Sequence, residues 1–251
     1  MSIELTFPET HLCLITIDNA DKRNALGPKE FKGLAAAWET LIDRLDIRCV
    51  VITGRGQQAF CSGAQLDSDF SVLGDVNDWV DRALLKTHFF PIPIVAAVNG
   101  HCVAGGLELM ISCDIRIASE KALFGLPEVR WGIVPSGGGT MKLVDQIGYA
   151  RAMQLMLTGE LILASSAMEI GLINQVCPVE EVLPKAMAVA RQIAANSPLA
   201  VRLTKQLAVE KRFERWGSQE TDERYAASLA RNGPDIKKGL TAFLNKSLPS
   251  Y

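Results

Sequence analysis

Ile94-Val95-Ala96-Ala97-Val98 is a short apolar run with β-branched residues, the pattern of a buried strand. Asn99-Gly100 closes it with turn chemistry. Beyond Gly105-Gly106, Leu107-Glu108-Leu109-Met110-Ile111 combines helix-forming residues with almost no polar face. That pattern predicts a helix inside the core. Upstream, residues 11–18 alternate imperfectly and read as a strand, and the polar stretch 19–24 reads as a turn. Pro28 stands where proline opens a helix. Phe31, Leu34, Ala35, Trp38, Leu41, Ile42 and Leu45 then fall at three- and four-residue intervals, one apolar stripe. Residues 48–53 read as a second strand, ended by Gly54-Arg55-Gly56. A small-residue segment, 59–64, precedes a polar stretch, 65–75, expected to be mobile. A helix is predicted around 77–90 and a further strand over 114–118. Strands alternating with helices predict an α/β architecture.

From Tyr149 the pattern turns helical. Stripes occur over 150–157, 166–171, 181–195, 199–212, 219–231 and 235–246. Only 173–176 looks extended between them, and Pro198 and Pro234 act as punctuation. The end of the chain therefore reads as a helical appendage.

Composition narrows the class. A chain of 251 residues, 48% hydrophobic, buries a full core. With 26 basic and 28 acidic residues and a formal net charge of −2, it offers no electrostatic footprint for nucleic acid or an anionic membrane. Its apolar runs are too short to span a bilayer, and the first residues lack a charged region followed by an apolar one. Six cysteines without a CxxC pattern read as reduced, buried thiols in a cytoplasmic protein. His11, His88 and His101 are isolated, so no metal site is expected.

The candidate chemistry lies at the central strand and helix. Glu108 is an ionisable group in a helix with no polar face, where few are tolerated. Gly105 and Gly106 let another group approach the backbone, and the first N–H groups of a helix lack partners within it. Together they describe a place that could hold a developing oxyanion. Glu128, in Phe124-Gly125-Leu126-Pro127-Glu128, is a second carboxylate, and two carboxylates flanking one pocket could serve as general acid and base. The plainer reading is tight glycine packing and a glutamate with a buried partner. Ser136-Gly137-Gly138-Gly139-Thr140 lacks the GK[ST] ending of a phosphate loop and reads as a closely packed helix start.

In this order and spacing, several segments resemble the crotonase (enoyl-CoA hydratase/isomerase) superfamily over nearly the whole chain. They are Asp21-Lys22-Arg23-Asn24-Ala25-Leu26, Ala59-Phe60-Cys61-Ser62-Gly63-Ala64, and Ala97-Val98-Asn99-Gly100 with Gly105-Gly106-Leu107-Glu108. Phe124 to Glu128, Gly132-Ile133-Val134-Pro135 and Gly137-Gly138-Gly139-Thr140 follow. The resemblance implies a crotonase-like spiral of ββα units over 1–195, and a C-terminal helical region, 196–251, for trimer formation, often with two trimers in a hexamer. It implies an acyl-CoA thioester substrate, coenzyme A being part of the substrate and no separate cofactor being needed. By match, the backbone N–H groups of Ala64 and Gly105 hold the thioester oxygen, with Glu108 as base and Glu128 as acid. Substrate contacts are implied at Arg23, Ala25, Gln65, Leu66, Gly106 and Lys246, the last toward a neighbouring subunit's nucleotide.

Departures from the family pattern are Gln65 in place of the usual Asp, Ser136 where glycine is frequent, and Ser247 in place of a second basic residue. Trp131 reads equally as acyl-pocket wall or core. The expected reaction is hydration of a 2-enoyl-CoA to a 3-hydroxyacyl-CoA. The alternatives are a Δ3-Δ2 enoyl-CoA isomerase or another crotonase-type lyase, and a non-catalytic acyl-CoA or nucleic-acid-binding member. For the last, a basic face is missing: over 28–46, Lys29, Lys32 and Arg44 mix with Glu30, Glu39, Asp43 and Asp46.

Overall fold

The computed structural model describes residues 2–251. Its main sheet has six strands in the order β1-β2-β3-β5-β7-β10, and a second sheet has four, β4-β6-β8-β9. The main-sheet strands are β1 (Ile3–Glu9), β2 (Leu12–Ile17), β3 (Cys49–Gly54), β5 (Ile94–Val98), β7 (Ile115–Ser119) and β10 (Gln175–Cys177). The smaller sheet uses β4 (Ala59–Cys61), β6 (His101–Val103), β8 (Leu123–Gly125) and β9 (Ile162–Leu163). β2 to β10 run parallel, and β1 pairs antiparallel at the edge. β1 escapes the sequence pattern because only its start is buried, and Pro8 is tolerated there because an edge strand leaves N–H groups unpaired.

Three times, a main-sheet strand leads to a short strand of the second sheet and then to a helix. β3 and β4 precede α2 (Val76–Leu84), β5 and β6 precede α3 (Gly105–Met110), and β7 and β8 precede α4 (Gly139–Ile147). This is the spiral of ββα units. The crossing from β5 is fixed by Asn99, whose Oδ1 accepts from Gly54 N (3.0 Å) and whose Nδ2 donates to Gly56 O (2.7 Å).

β3 is buried along its length, so alternate side chains serve two cores. Val50 and Ile52 face the inter-sheet core with α1 (Pro28–Ile42) and α3. Cys49 and Val51 face α7 (Val179–Ala195) through Val182, Ala186 and Ala190. α7 thus covers the main sheet and belongs to the core. The remaining helices are α5 (Tyr149–Thr158), α6 (Ala164–Glu169), α8 (Pro198–Asn232) and α9 (Asp235–Leu244).

The structure corrects several local expectations. The helix predicted over 77–90 stops at Leu84, because the Asp81 carboxylate turns back to accept from Thr87 N (2.7 Å) and Leu85 is left-handed (φ 51°). The polar stretch 65–75 folds into a 3-10 turn, Phe70–Leu73, between two aspartate caps: Asp69 accepts from Ser71 N and Asp75 from Asn77 N. The stripes at 199–212 and 219–231 are one 35-residue helix, α8. No proline interrupts it after Pro198, and buried Trp216 fills the apparent gap. All six cysteines are free and buried. Among the described residues, no helix is long and apolar enough to cross a membrane.

Candidate active site

The site is built where the two sheets meet the start of α3. Ala104 precedes α3 with φ 52° and ψ −132°, a conformation costing a non-glycine residue about 1–3 kcal/mol. Gly105 is the first helical residue, so its N–H has no acceptor within the helix. Gly106 is a packing residue: a Cβ there would lie 2.1 Å from the Cys61 carbonyl oxygen. Across from it, Leu26 N donates to Gly63 O (2.8 Å) and Gln65 N donates to Leu26 O (2.9 Å). In a parallel bridge of this kind, the intervening Ala64 N–H points the other way.

These donors and Glu108 converge. A Cβ placed on Gly105 would stand 3.7 Å from Ala64 N and 3.9 Å from Glu108 Oε2. One placed on Gly63 would stand 3.0 Å from Gly105 N. Two N–H groups and one carboxylate oxygen therefore border a single space that the glycines leave open.

Glu108 is only 4% exposed. Its Oε1 accepts from Gly137 N (2.7 Å) and Gly139 N (3.0 Å), while Oε2 is the oxygen nearer Gly105. The glycines after Ser136 are thus a carboxylate holder. Hydrogen bonds to a charged group stabilise it by roughly 1.5–3 kcal/mol each, yet burial wins. Desolvation first, and the charge of Glu223 second, raise the Glu108 carboxyl from 4.5 to about 7.

Glu128 lies in the 3-10 turn Pro127–Trp131 and is 8% exposed. Its Oε2 has no hydrogen-bond partner. Burial, then the charge of Glu108, push its carboxyl well above 4.5. Only a hydrogen bond from its own backbone favours its ionised form, where the glycine loop gives Glu108 two donors. The turn is backed by α9: Trp131 stacks edge-on against Phe243 at 5.1 Å between centroids, and a Cβ on Gly239 would lie 2.1 Å from Trp131 O. Trp131 is therefore packed against the C-terminal helix.

The sequence profile of the family described as enoyl-CoA hydratase/isomerase matches residues 8–251. The chain belongs to that family. It is an enzyme of the family's hydratase-like lyase type. It is 34% identical to an enoyl-CoA hydratase of Mycobacterium tuberculosis, over 96% of this chain and 93% of that protein. It is 35% identical to the crotonyl-CoA hydratase of Syntrophomonas wolfei, over 97% of this chain and 95% of that one. Among solved structures, a carnitinyl-CoA dehydratase from Mycobacterium avium superposes with a TM-score of 0.91 at 32% identity, covering 100% of this chain and 98% of that one.

The other residues expected to bind substrate are spread more widely than the family's central pair. Ala25 is buried, its carbonyl accepting from Asn19 Nδ2 (2.8 Å). Arg23 is exposed and left-handed (φ 54°) at the end of the 3-10 turn Ala20–Lys22. Gln65 and Leu66 are half-buried, next to Ala64. Lys246 is exposed just beyond α9 with φ 52°, and no contact joins its side chain to the glutamates of its own chain among the described residues. No group of three or more His, Cys, Asp or Glu is placed to hold a metal ion among those residues. A cleft of about 360 Å³ bordered by Arg116, Lys142, Lys205 and Trp216 lies under α8 and contains neither Glu108 nor Glu128.

Sequence reasoning missed the charged cluster behind the site. Lys86, 2% exposed, pairs with Glu220 and with Glu223 Oε2 (2.6 Å), both on α8. The contact to Glu223 is an ion pair by distance whose angle is not that of a hydrogen bond. Lys142 is 1% exposed, and burial pushes its ammonium down to about 7. One signal was present. Trp216, Glu220, Glu223 and Ala227 follow at four, three and four residues, so α8's inward stripe carries two glutamates where apolar residues are expected.

Proposed function

We propose that this protein reversibly adds water to a 2-enoyl-CoA, giving a 3-hydroxyacyl-CoA. The observation carrying this reading is the unequal treatment of two buried carboxyls beside two free N–H groups. Ala64 N–H and Gly105 N–H receive the thioester oxygen as negative charge moves onto it. One such donor typically lowers a barrier by roughly 2.7–4 kcal/mol. Glu108, held ionisable by the glycine loop, takes a proton from water as its oxygen bonds to the β carbon. Glu128, held protonated by its dry surroundings, delivers a proton to the α carbon. One water is consumed, and the proton on Glu108 returns to Glu128 through product release and solvent.

Arg23, Ala25, Gln65 and Leu66 take the pantetheine and nucleotide of coenzyme A in this reading, with Lys246 reaching a neighbouring subunit. A homotrimer or hexamer in the cytoplasm completes it. Exposed leucines on α8 support the assembly, and six free thiols support the compartment.

The test follows loss of the enoyl thioester's ultraviolet absorbance. Glu108→Gln and Glu128→Gln should each lower kcat by about 10²-fold or more with little change in KM. The double variant should be little slower than the worse single one, since the two act in one step. An isomerase needs only one base to move a proton between carbons, so one nearly silent replacement would sink the hydratase reading.

A further inference from the structure

Behind the glycine loop lies a set of buried charges that the proposed chemistry does not use. Oε1 of Glu108 rests on Gly137 N and Gly139 N on one side of this loop. On the other side, a Cβ on Gly138 would stand 3.3 Å from Lys86 Cγ and 3.6 Å from Lys142 Cδ and Cε. The hydroxyl of Thr140, next in the chain, donates to Glu223 Oε1. Glu223 Oε2 faces Lys86 Nζ, and Lys86 also meets Glu220, which is itself paired with Arg224. The loop is thus clasped between Glu108 and an ion pair whose carboxylate comes from α8 and whose cation is Lys86, just after α2.

We propose that Glu223 is a positioning residue for Glu108: through Thr140 and Lys86 it fixes the glycine loop whose two N–H groups hold the Glu108 carboxylate. This rests on the reading of Glu108 as the base. A buried pair serving only to tie α8 down would have no need to end on the residue that follows the two donors. Glu223 also acts across the loop, because its negative charge opposes ionisation of Glu108, while Lys86 favours it.

The groups facing Glu108 come from five places: Glu128 in the 3-10 turn, Glu223 and Glu220 on α8, Lys86 after α2, Lys142 on α4, and Asp81 on α2 behind Lys142. Replacing Glu223 by Gln keeps the acceptor for Thr140 but removes one repelling charge. It also leaves Lys86 less neutralised. Both changes lower the pH at which Glu108 ionises, so the acid limb should move down.

The experiment measures kcat/KM for crotonyl-CoA against pH in the full-length protein. Glu223→Gln should move the midpoint of the acid limb down by on the order of one pH unit, with KM little changed. An unmoved midpoint would mean that Glu223 does not act on Glu108 across the loop, which would overturn the proposal. Thr140→Val, which keeps every charge, should lower kcat by about tenfold, and Thr140→Ser should recover most of that loss. Equal rates for the valine and serine variants would overturn the proposal even if Glu223→Gln failed to fold. Glu108→Gln runs beside them. If it abolishes turnover while Glu223→Gln leaves the limb in place, only the positioning role falls. If it turns over like the parent, the base assignment falls and the positioning role with it.

Discussion

Glu108 and Glu128 are the same residue type, both buried and near enough for the charge of Glu108 to act on Glu128, and their difference comes from donors. Two N–H groups compensate Glu108, and burial still raises it to about 7. Glu128 has an orphaned oxygen and the charge of Glu108 nearby, and is pushed well above the usual carboxyl range. A base must be ionised and an acid protonated, so kcat/KM should fall below about pH 7 as Glu108 takes up its proton, and fall again at alkaline pH as Glu128 loses its own. A flat profile between about pH 5 and 9 would contradict this assignment.

The same shifts act on stability. Both groups are raised in the folded state, so the folded state binds more protons. Their contribution is fully present below the unfolded value near 4.5 and is lost as pH rises through the folded values. Glu128→Gln should therefore raise Tm at about pH 9 more than at about pH 5. Calorimetry at the two pH values checks it.

At the scale of elements, two glycines separate packing from chemistry. Gly106 meets backbone, with Cys61 O at 2.1 Å from an added Cβ, whereas Gly137 meets side-chain ends, Glu108 Oε2 at 2.4 Å and Leu84 Cδ1 at 2.5 Å. Gly106→Ala should disrupt the contact of α3 with β4 and lower soluble yield and Tm sharply. Gly137→Ala should retain more of its Tm and lose turnover, because the side chains that give way include the Glu108 carboxylate. Similar Tm losses in the two variants would remove the distinction.

The elements legible in the sequence were those with a long, one-sided signal. β5 stands where its apolar run predicts, and the apolar character of α3 marks its burial; α1 follows its stripe only as far as Leu41, since Ile42 ends the helix half-open to solvent and Leu45 lies beyond it, exposed. β4, β6 and β8 are three residues each, too short for a period to show. The helix stop at Leu84 depends on Asp81 reaching a residue six positions on, which no local pattern reveals. Glu108, Glu128 and the glycine pair were legible by type. Glu223 and Lys86 were not, because their meaning comes from a contact across more than a hundred residues of chain.

For the whole molecule, the C-terminal region closes on its own chain's candidate site. α8 reaches the glycine loop through Glu223, and α9 backs the turn that carries Glu128. That leaves a separate face of α8 uncovered. Leu199, Leu203 and Leu207 recur every four residues and are 67%, 47% and 75% exposed. Such an exposed stripe is the kind of face that a neighbouring chain would cover, and subunit contact is the expected use. Light scattering should give three or six times the 27.3 kDa chain mass. Leu203→Glu with Leu207→Glu should lower the mass. A monomeric parent at micromolar concentration would refute the assembly.

Burial of the six cysteines makes the molecule its own reporter of breathing. A thiol reacts as its thiolate, and burial pushes Cys61 and Cys113 up to about 12 and Cys102 well above its usual value. Alkylation must therefore wait for local opening. Cys61 abuts Gly106 through its carbonyl, and Cys102 Sγ donates to Gly106 O at 3.3 Å, so these two sample the floor beneath the free N–H groups. Cys177 lies on the far face of the main sheet with α7. Residue-resolved labelling with iodoacetamide, read by mass spectrometry, should slow at Cys61 and Cys102 when crotonyl-CoA is added and stay unchanged at Cys177. The ratio of those rates would clock how often the floor of the candidate site lifts on its own, without any probe being attached in advance.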